Sequence, residues 1–306
     1  MTTALWLLVY GGLLTWLAPP VLQRLTATGL SPRMGVAAWL TAIGAALAAW
    51  AGALMLVLDA ALDSLTDSSA VTLCLELFGL SEHTQVPGQF GSIALLTVGI
   101  LTSTVIIRRV WRSITALRTR SHEHAHAARM VGRSTSRPDI VVVDAHRPAA
   151  YCVAGRPYAI VVTSAALTTL GRRELAAVLA HESAHIAGRH HQLLMVLRAI
   201  AANLPRLPLF RGGAESVAAL LEMCADDTAA RRIGARPLLG GLLTLAGPHA
   251  PVTTGLAAAA TAVATRAIRL TTPAGRGAQW CQRLALAVTM LVTLTAPAVI
   301  ELLCHH

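Results

Sequence analysis

Two histidines four residues apart, with a glutamate directly after the first, form the run His181-Glu182-Ser183-Ala184-His185. On a helix that spacing sets both imidazoles on one face, one turn apart, where they can share a single Zn²⁺. Zinc lowers the pKa of water toward about 7. A carboxylate beside it, here Glu182, can take the proton as that water attacks a carbonyl. The same five residues would also suit a surface helix with two solvated histidines. The small Ser183, Ala184, Ala187 and Gly188, preceded by Ala177, Val178 and Ala180, fit a crowded, buried helix instead.

Two histidines need a third protein ligand. Candidates lie downstream in Glu222-Met223-Cys224-Ala225-Asp226-Asp227. Glu222 and Asp226 fall one turn apart on one helix face. One carboxylate can bind the metal while the other accepts the free ring N–H of a ligand histidine and fixes its tautomer. The alternative is two surface acids pairing with Arg231 or Arg232. The apolar flank of Leu220, Leu221, Met223, Ala225 and Ala229 argues against it. Arg231 and Arg232 are also candidates for stabilising an oxyanion. Cys224 reads as a small buried hydrophobe. His122, His124 and His126 alternate, so on a helix they do not share a face. His190 and His191 read as pocket or surface residues rather than ligands.

These residues must be held by something, and composition says where. The chain has 306 residues, 55% of them hydrophobic and only 13% charged, with a mean hydropathy of +0.59. Soluble domains carry roughly 25% charge. Four stretches approach the roughly 20 apolar residues that cross a bilayer: about 4–22, 34–58, 91–107 and 284–303. The first lacks a basic start and a small-residue cleavage site, so it reads as a retained anchor. Pro297 inside the fourth is tolerated in membrane helices. All 25 basic side chains are arginine, and the net charge is +10. No basic stripe interleaves with aromatics, so direct nucleic-acid binding is not expected.

Arginine asymmetry orients the spans. Arg24 and Arg33 flank the first loop. The segment 59–90 carries Asp59, Asp63, Asp67, Glu76 and Glu82 and no arginine. Arg108, Arg109, Arg112, Arg118 and Arg120 follow the third span. The expected layout has both termini outside, residues 1–107 forming three spans with an acidic outer loop, residues 108–282 a cytoplasmic domain, and residues 283–306 a fourth span with a short outer tail. Cys74 and Cys304 both fall outside and could form a disulfide there; no two of the five cysteines make a CxxC pair. Within 108–282, the β-branched runs 139–144 and 159–163 and the segment 149–153 predict a small sheet, with Gly155-Arg156-Pro157 as turn chemistry. Helices are predicted over about 172–191, 214–233 and 238–270. The apolar run 193–204 is too short to span and reads as core or as contact with the membrane face.

His181-Glu182-Ser183-Ala184-His185 followed by Glu222-Met223-Cys224-Ala225-Asp226-Asp227 resembles the gluzincin membrane peptidases. Two branches share that pattern. One is the BlaR/MecR antirepressors, whose four-span layout this chain also resembles. The other is the HtpX and CAAX prenyl protease group. The resemblance covers roughly residues 100–235. It implies an α-helical multi-pass membrane protein with an inserted α+β gluzincin-like zinc peptidase domain. One Zn²⁺ per chain would be bound by His181, His185 and Glu222, with Glu182 as base and Asp226 orienting a histidine. It further implies that an extended substrate pairs with an edge strand, for which Ala159, Ile160, Val161, Val162 and Thr163 are the candidates, Pro157 being compatible with an edge. The sequence departs from the β-lactam receptors in having no lysine, so no S-x-x-K is present. The expected substrate is a protein such as a BlaI-like repressor. The alternatives are HtpX-like quality control or processing at the membrane, and a noncatalytic sensor that keeps zinc as structure.

Overall fold

The computed structural model describes residues 3–66, 88–155, 157–247, 254–272 and 275–304. In chain order the elements are α1 (Thr3–Thr26), α2 (Pro32–Thr66), α3 (Gly88–Val131), β1 (Arg133–Ser134), β2 (Ile140–Val143), β3 (Ala150–Val153) and β4 (Ala159–Thr163). They continue as α4 (Ser164–Thr169), α5 (Arg172–Ala187), α6 (His190–Asn203), α7 (Pro208–Arg232), α8 (Ala235–Ala246), α9 (Thr254–Thr271) and α10 (Arg276–Cys304).

Among the described residues, three helices are long and apolar enough to cross a membrane: Thr3–Thr26, Pro32–Asp59 and Arg276–Val299. The predicted stretch 91–107 falls in the first half of α3, where the side chains up to residue 96 lie outside the described ones. Helix α3 runs unbroken from there past Arg108 and Arg109 to Val131. The pairing of Cys74 with Cys304 also lies outside the described residues.

The predicted strands form, together with the short β1, a mixed sheet of order β1-β2-β4-β3. Strand β4 pairs in parallel with β2 and antiparallel with β3. All five of its residues are buried. The expectation that Ala159–Thr163 forms a free edge is therefore corrected. A β-branched run buried on both faces is what an inner strand requires, and the edge next to β4 is β3. Ile160 and Val162 face α5 through Val178, whereas Val161 and Val153 face α3 through Ala125.

The predicted helix 238–270 is broken in two. Gly247 ends α8 with φ 68°, a conformation that glycine adopts without strain, and Pro248 follows. The largest core joins the apolar helices to the rest of the chain. Leu197 of α6 and Leu209, Phe210, Val217 and Leu220 of α7 pack with Trp39 and Ile43 of α2, Leu22 of α1 and Leu286 of α10. The apolar run 193–204 thus packs against the candidate spans. The turn between α1 and α2 is tied down as well. Gln282 donates to Leu25 O and accepts from Ser31 N, and Arg269 donates to Gly29 O.

Candidate metal centre

Helix α5 carries the histidine pair because its buried stripe, Ala177, Val178, His181, Ala184 and His185, follows helical spacing. Its start is capped by Glu174, which accepts from Gly171 N–H at 2.9 Å. Helix α8 approaches it closely at Gly240 and Gly241, where an added Cβ would stand 2.3 Å from Glu174 Oε1 and 2.7 Å from Val178 Cγ2. Helix α7 joins the same contact, its Ala229 packing with Ala177 of α5 and Leu238 of α8.

This packing brings Glu222 to the histidines. His181 Nε2 and His185 Nε2 stand 3.1 Å apart. Glu222 Oε2 lies 3.4 Å from the first and Oε1 3.4 Å from the second. A tetrahedral zinc with bonds of about 2.0–2.1 Å separates neighbouring donors by about 3.3–3.4 Å. The three side chains therefore have the chemistry and spacing to hold one ion, and they are the one such group among the described residues.

The charges agree with that role. Burial pushes the Glu222 carboxyl up, but His181, His185 and Arg266 outweigh it and hold its pKa near 2. Burial disfavours charge on His181, yet contacts with Asp226 and Glu222 lift its pKa to about 9. His185 has no such compensation; burial, joined by repulsion from His181 and His190, brings it to about 4.

Asp226 is fully buried, and its Oδ1 is 3.1 Å from His181 Nδ1. The pair is close without the alignment of a good hydrogen bond, and Nδ1 has no better partner. Arg266 of α9 donates to both Asp226 oxygens, Nη2 at 2.6 Å and Nε at 2.7 Å, and its Nη1 lies 3.2 Å from Glu222 Oε2. Sequence reasoning missed Arg266, which sits 40 residues beyond Asp226 on a separate helix. The available signal was an arginine in an otherwise alanine-rich helix. Arg231 and Arg232, the sequence-based candidates for an oxyanion role, are not at the centre. Nine and ten residues past Glu222 on a continuous helix put them about 14–15 Å along its axis. Both are exposed, and Arg231 donates to Thr228.

His190 is also a finding. Helix α5 ends at Gly188, Arg189 takes a left-handed turn with φ 52°, and α6 starts back over the site. His190 is buried with its Nδ1 2.9 Å from His185 Nδ1, so it meets the nitrogen turned away from Glu222. Gly188 makes room, since a Cβ there would stand 2.3 Å from His190 Nε2. His191 turns elsewhere, to Cys152 Sγ at 2.8 Å. Glu182 accepts a hydrogen bond from the Cys152 backbone N–H on β3 at 2.9 Å, and burial raises its pKa. Cys224 is buried with its thiol pushed up to about 11, as an inert core residue would be. His124 rests near the Tyr151 ring, and His122 and His126 join no metal-competent group among the described residues.

A helix presenting two histidines and a glutamate, faced by a carboxylate helix and flanked by a strand, defines a metallopeptidase-type centre. Residues 116–235 match the family model for peptidase family M48, a zinc-dependent metallopeptidase family, so the chain carries a domain of that kind. The match contains His181, Glu182, His185, Glu222 and Asp226 and stops short of Arg266. No curated protein and no solved structure matches the chain.

Proposed function

We propose that this protein is a membrane-embedded zinc endopeptidase whose centre works at the membrane surface. The observation that carries the reading is the triangle of His181 Nε2, His185 Nε2 and the Glu222 carboxylate, with sides of 3.1, 3.4 and 3.4 Å. Zinc held there would supply Lewis acidity toward a carbonyl and acidify water. The chain's own residues do the rest. Glu182 takes the proton of the attacking water and passes it to the leaving amine. Burial raises its pKa, which strengthens it as a proton acceptor. Asp226, held by Arg266, orients His181, and His190 orients His185.

The substrate-pairing role predicted for Ala159–Thr163 passes to β3. In its antiparallel pairing with β4, the backbone groups of Tyr151 and Val153 face inward, and those of Ala150 and the carbonyl of Cys152 face outward, the Cys152 N–H being held by Glu182. An extended peptide can add there.

The arginine distribution supports a cytoplasmic centre with both termini outside, and 91–107 as a further span. The resemblance to BlaR/MecR antirepressors supports a BlaI-like repressor as substrate. An HtpX-like role on membrane proteins is favoured by a separate observation, the packing of the ligand helix α7 against α1 and α2.

The test compares wild type with Glu182→Gln in the native host, by proteomics of cleaved termini and by zinc content. The proposal expects both proteins to bind one zinc and only the wild type to generate new termini. Identical termini from two zinc-loaded proteins would favour the noncatalytic sensor.

A further inference from the structure

Behind the metal centre lies a second cavity of about 510 Å³, between the start of α2, the end of α5, the start of α6 and the last turns of α7. Its polar lining is Arg33, His190, Cys224, Thr228 and Arg232, and no carboxylate lines it. Arg266 and Arg269, on the neighbouring helix, each pair with an aspartate. Arg33 and Arg232, both exposed, pair with no acid among the described residues and line one space from two elements.

A third donor points the same way. His190 is only 8% exposed, and its Nδ1 is taken by His185. Its Nε2 has no partner among the described residues and lies over Gly188, another lining residue, which has no side chain to cover it. Two guanidinium groups with no acid partner, the accessible ring nitrogen of a largely buried histidine and no acid describe a receptor for a compact polyoxygen anion.

The position narrows the source. Arg33 is in the first turn of α2, next to the α1–α2 turn at the ends of two candidate spans. Basic pockets at that level meet phospholipid headgroups.

We propose that this cavity binds a phosphate-bearing anion, held by Arg33 and Arg232 and touched by His190. Lipid headgroups and soluble phosphate share this chemistry. Through His190 the anion would touch the residue that orients metal ligand His185, joining the centre to the bilayer surface.

The experiment uses the full chain in nanodiscs of phosphatidylcholine, with or without phosphatidylglycerol, and inorganic phosphate as the soluble probe. Native mass spectrometry counts retained phosphatidylglycerol, and thermal melting in phosphatidylcholine reads phosphate binding. Arg33→Gln with Arg232→Gln is compared with Arg133→Gln and Arg172→Gln, which remove the same charge elsewhere. If a headgroup is the occupant, wild type and control retain about one phosphatidylglycerol and the cavity variant at least fivefold less. If soluble phosphate is the occupant, millimolar phosphate raises the melting temperature of wild type and control but not of the cavity variant. Equal behaviour of the cavity variant and the control in both assays overturns the proposal. So does a wild type that shows neither lipid selectivity nor a phosphate response, which decides the matter even if the cavity variant fails to fold.

Discussion

Arg266 grips Asp226 at both carboxylate oxygens, while the same carboxylate faces His181 Nδ1 at 3.1 Å. The guanidinium therefore acts on the metal centre through an aspartate. Removing it leaves a fully buried carboxylate without its counter-ion, a loss of about 3–5 kcal/mol in comparable buried pairs. Arg266→Gln is expected to lower the melting temperature and to weaken zinc binding roughly 10–100-fold, the usual effect of losing a group that orients a ligand. Zinc affinity by chelator competition, run beside thermal melting, checks this. A variant that melts early but binds zinc within twofold of wild type would reduce Arg266 to a structural brace.

His190 makes the matching contact on the second ligand. His190→Ala should loosen His185 and cost about tenfold or more in zinc affinity, with little change in fold. Gly188→Ala should reproduce much of that loss without touching either histidine, because the new Cβ would stand 2.3 Å from His190 Nε2. Zinc titrations of both variants test the coupling. Wild-type affinity in Gly188→Ala would show that His190 can move aside freely.

The helix with His181 and His185, the later Glu222 and Asp226, and three of the four strands could all be read from the sequence, since each rests on local spacing or a β-branched run. What could not be read depends on contacts between distant segments. Strand order is one case. The run Ala159–Thr163 looks the same at an edge or inside, and only pairing with both β2 and β3 decides it. Arg266 is another, since its partners lie 40 and 44 residues away. His190 was visible but not interpretable, because its contact with His185 depends on Arg189 adopting φ 52°, which nothing in that residue's type announces. The end of α8 at Gly247, by contrast, has a local signal in the glycine itself, set against the alanine-rich composition around it.

Zinc uptake should depend on pH through His181 alone. In the metal-free protein its pKa is raised to about 9, while that of His185 is lowered to about 4 and that of Glu222 to about 2. Around neutrality only His181 must release a proton to become a ligand. Apparent zinc affinity is expected to rise about tenfold per pH unit from about 6 to 8 and to level off near 9. The metal-free fold should respond in the opposite sense. A raised folded-state pKa contributes stability that is fully present below the ordinary histidine value and is lost as pH climbs through about 9. Zinc titrations and metal-free melts across pH 6–9 check both signs. A flat affinity would mean that His181 is already neutral.

Glu182 depends on the edge of the sheet. Its carboxylate accepts the outward-facing N–H of Cys152, at a position that makes no ladder bond to β4. Proline at an outward-facing edge position removes the donor and spares the sheet. A hydrogen bond to a charged acceptor is worth about 1.5–3 kcal/mol, which corresponds to about one to two pH units. That bond favours the ionised carboxylate, so losing it raises a pKa already pushed up by burial. Cys152→Pro is therefore expected to move the acid limb of kcat/KM upward by about one pH unit or more. Cys152→Ser keeps the N–H and a side-chain donor near Glu182 while losing the thiol contact with His191, and should move that limb less than Cys152→Pro does. If both variants shift the limb equally, the thiol rather than the strand's N–H sets the base.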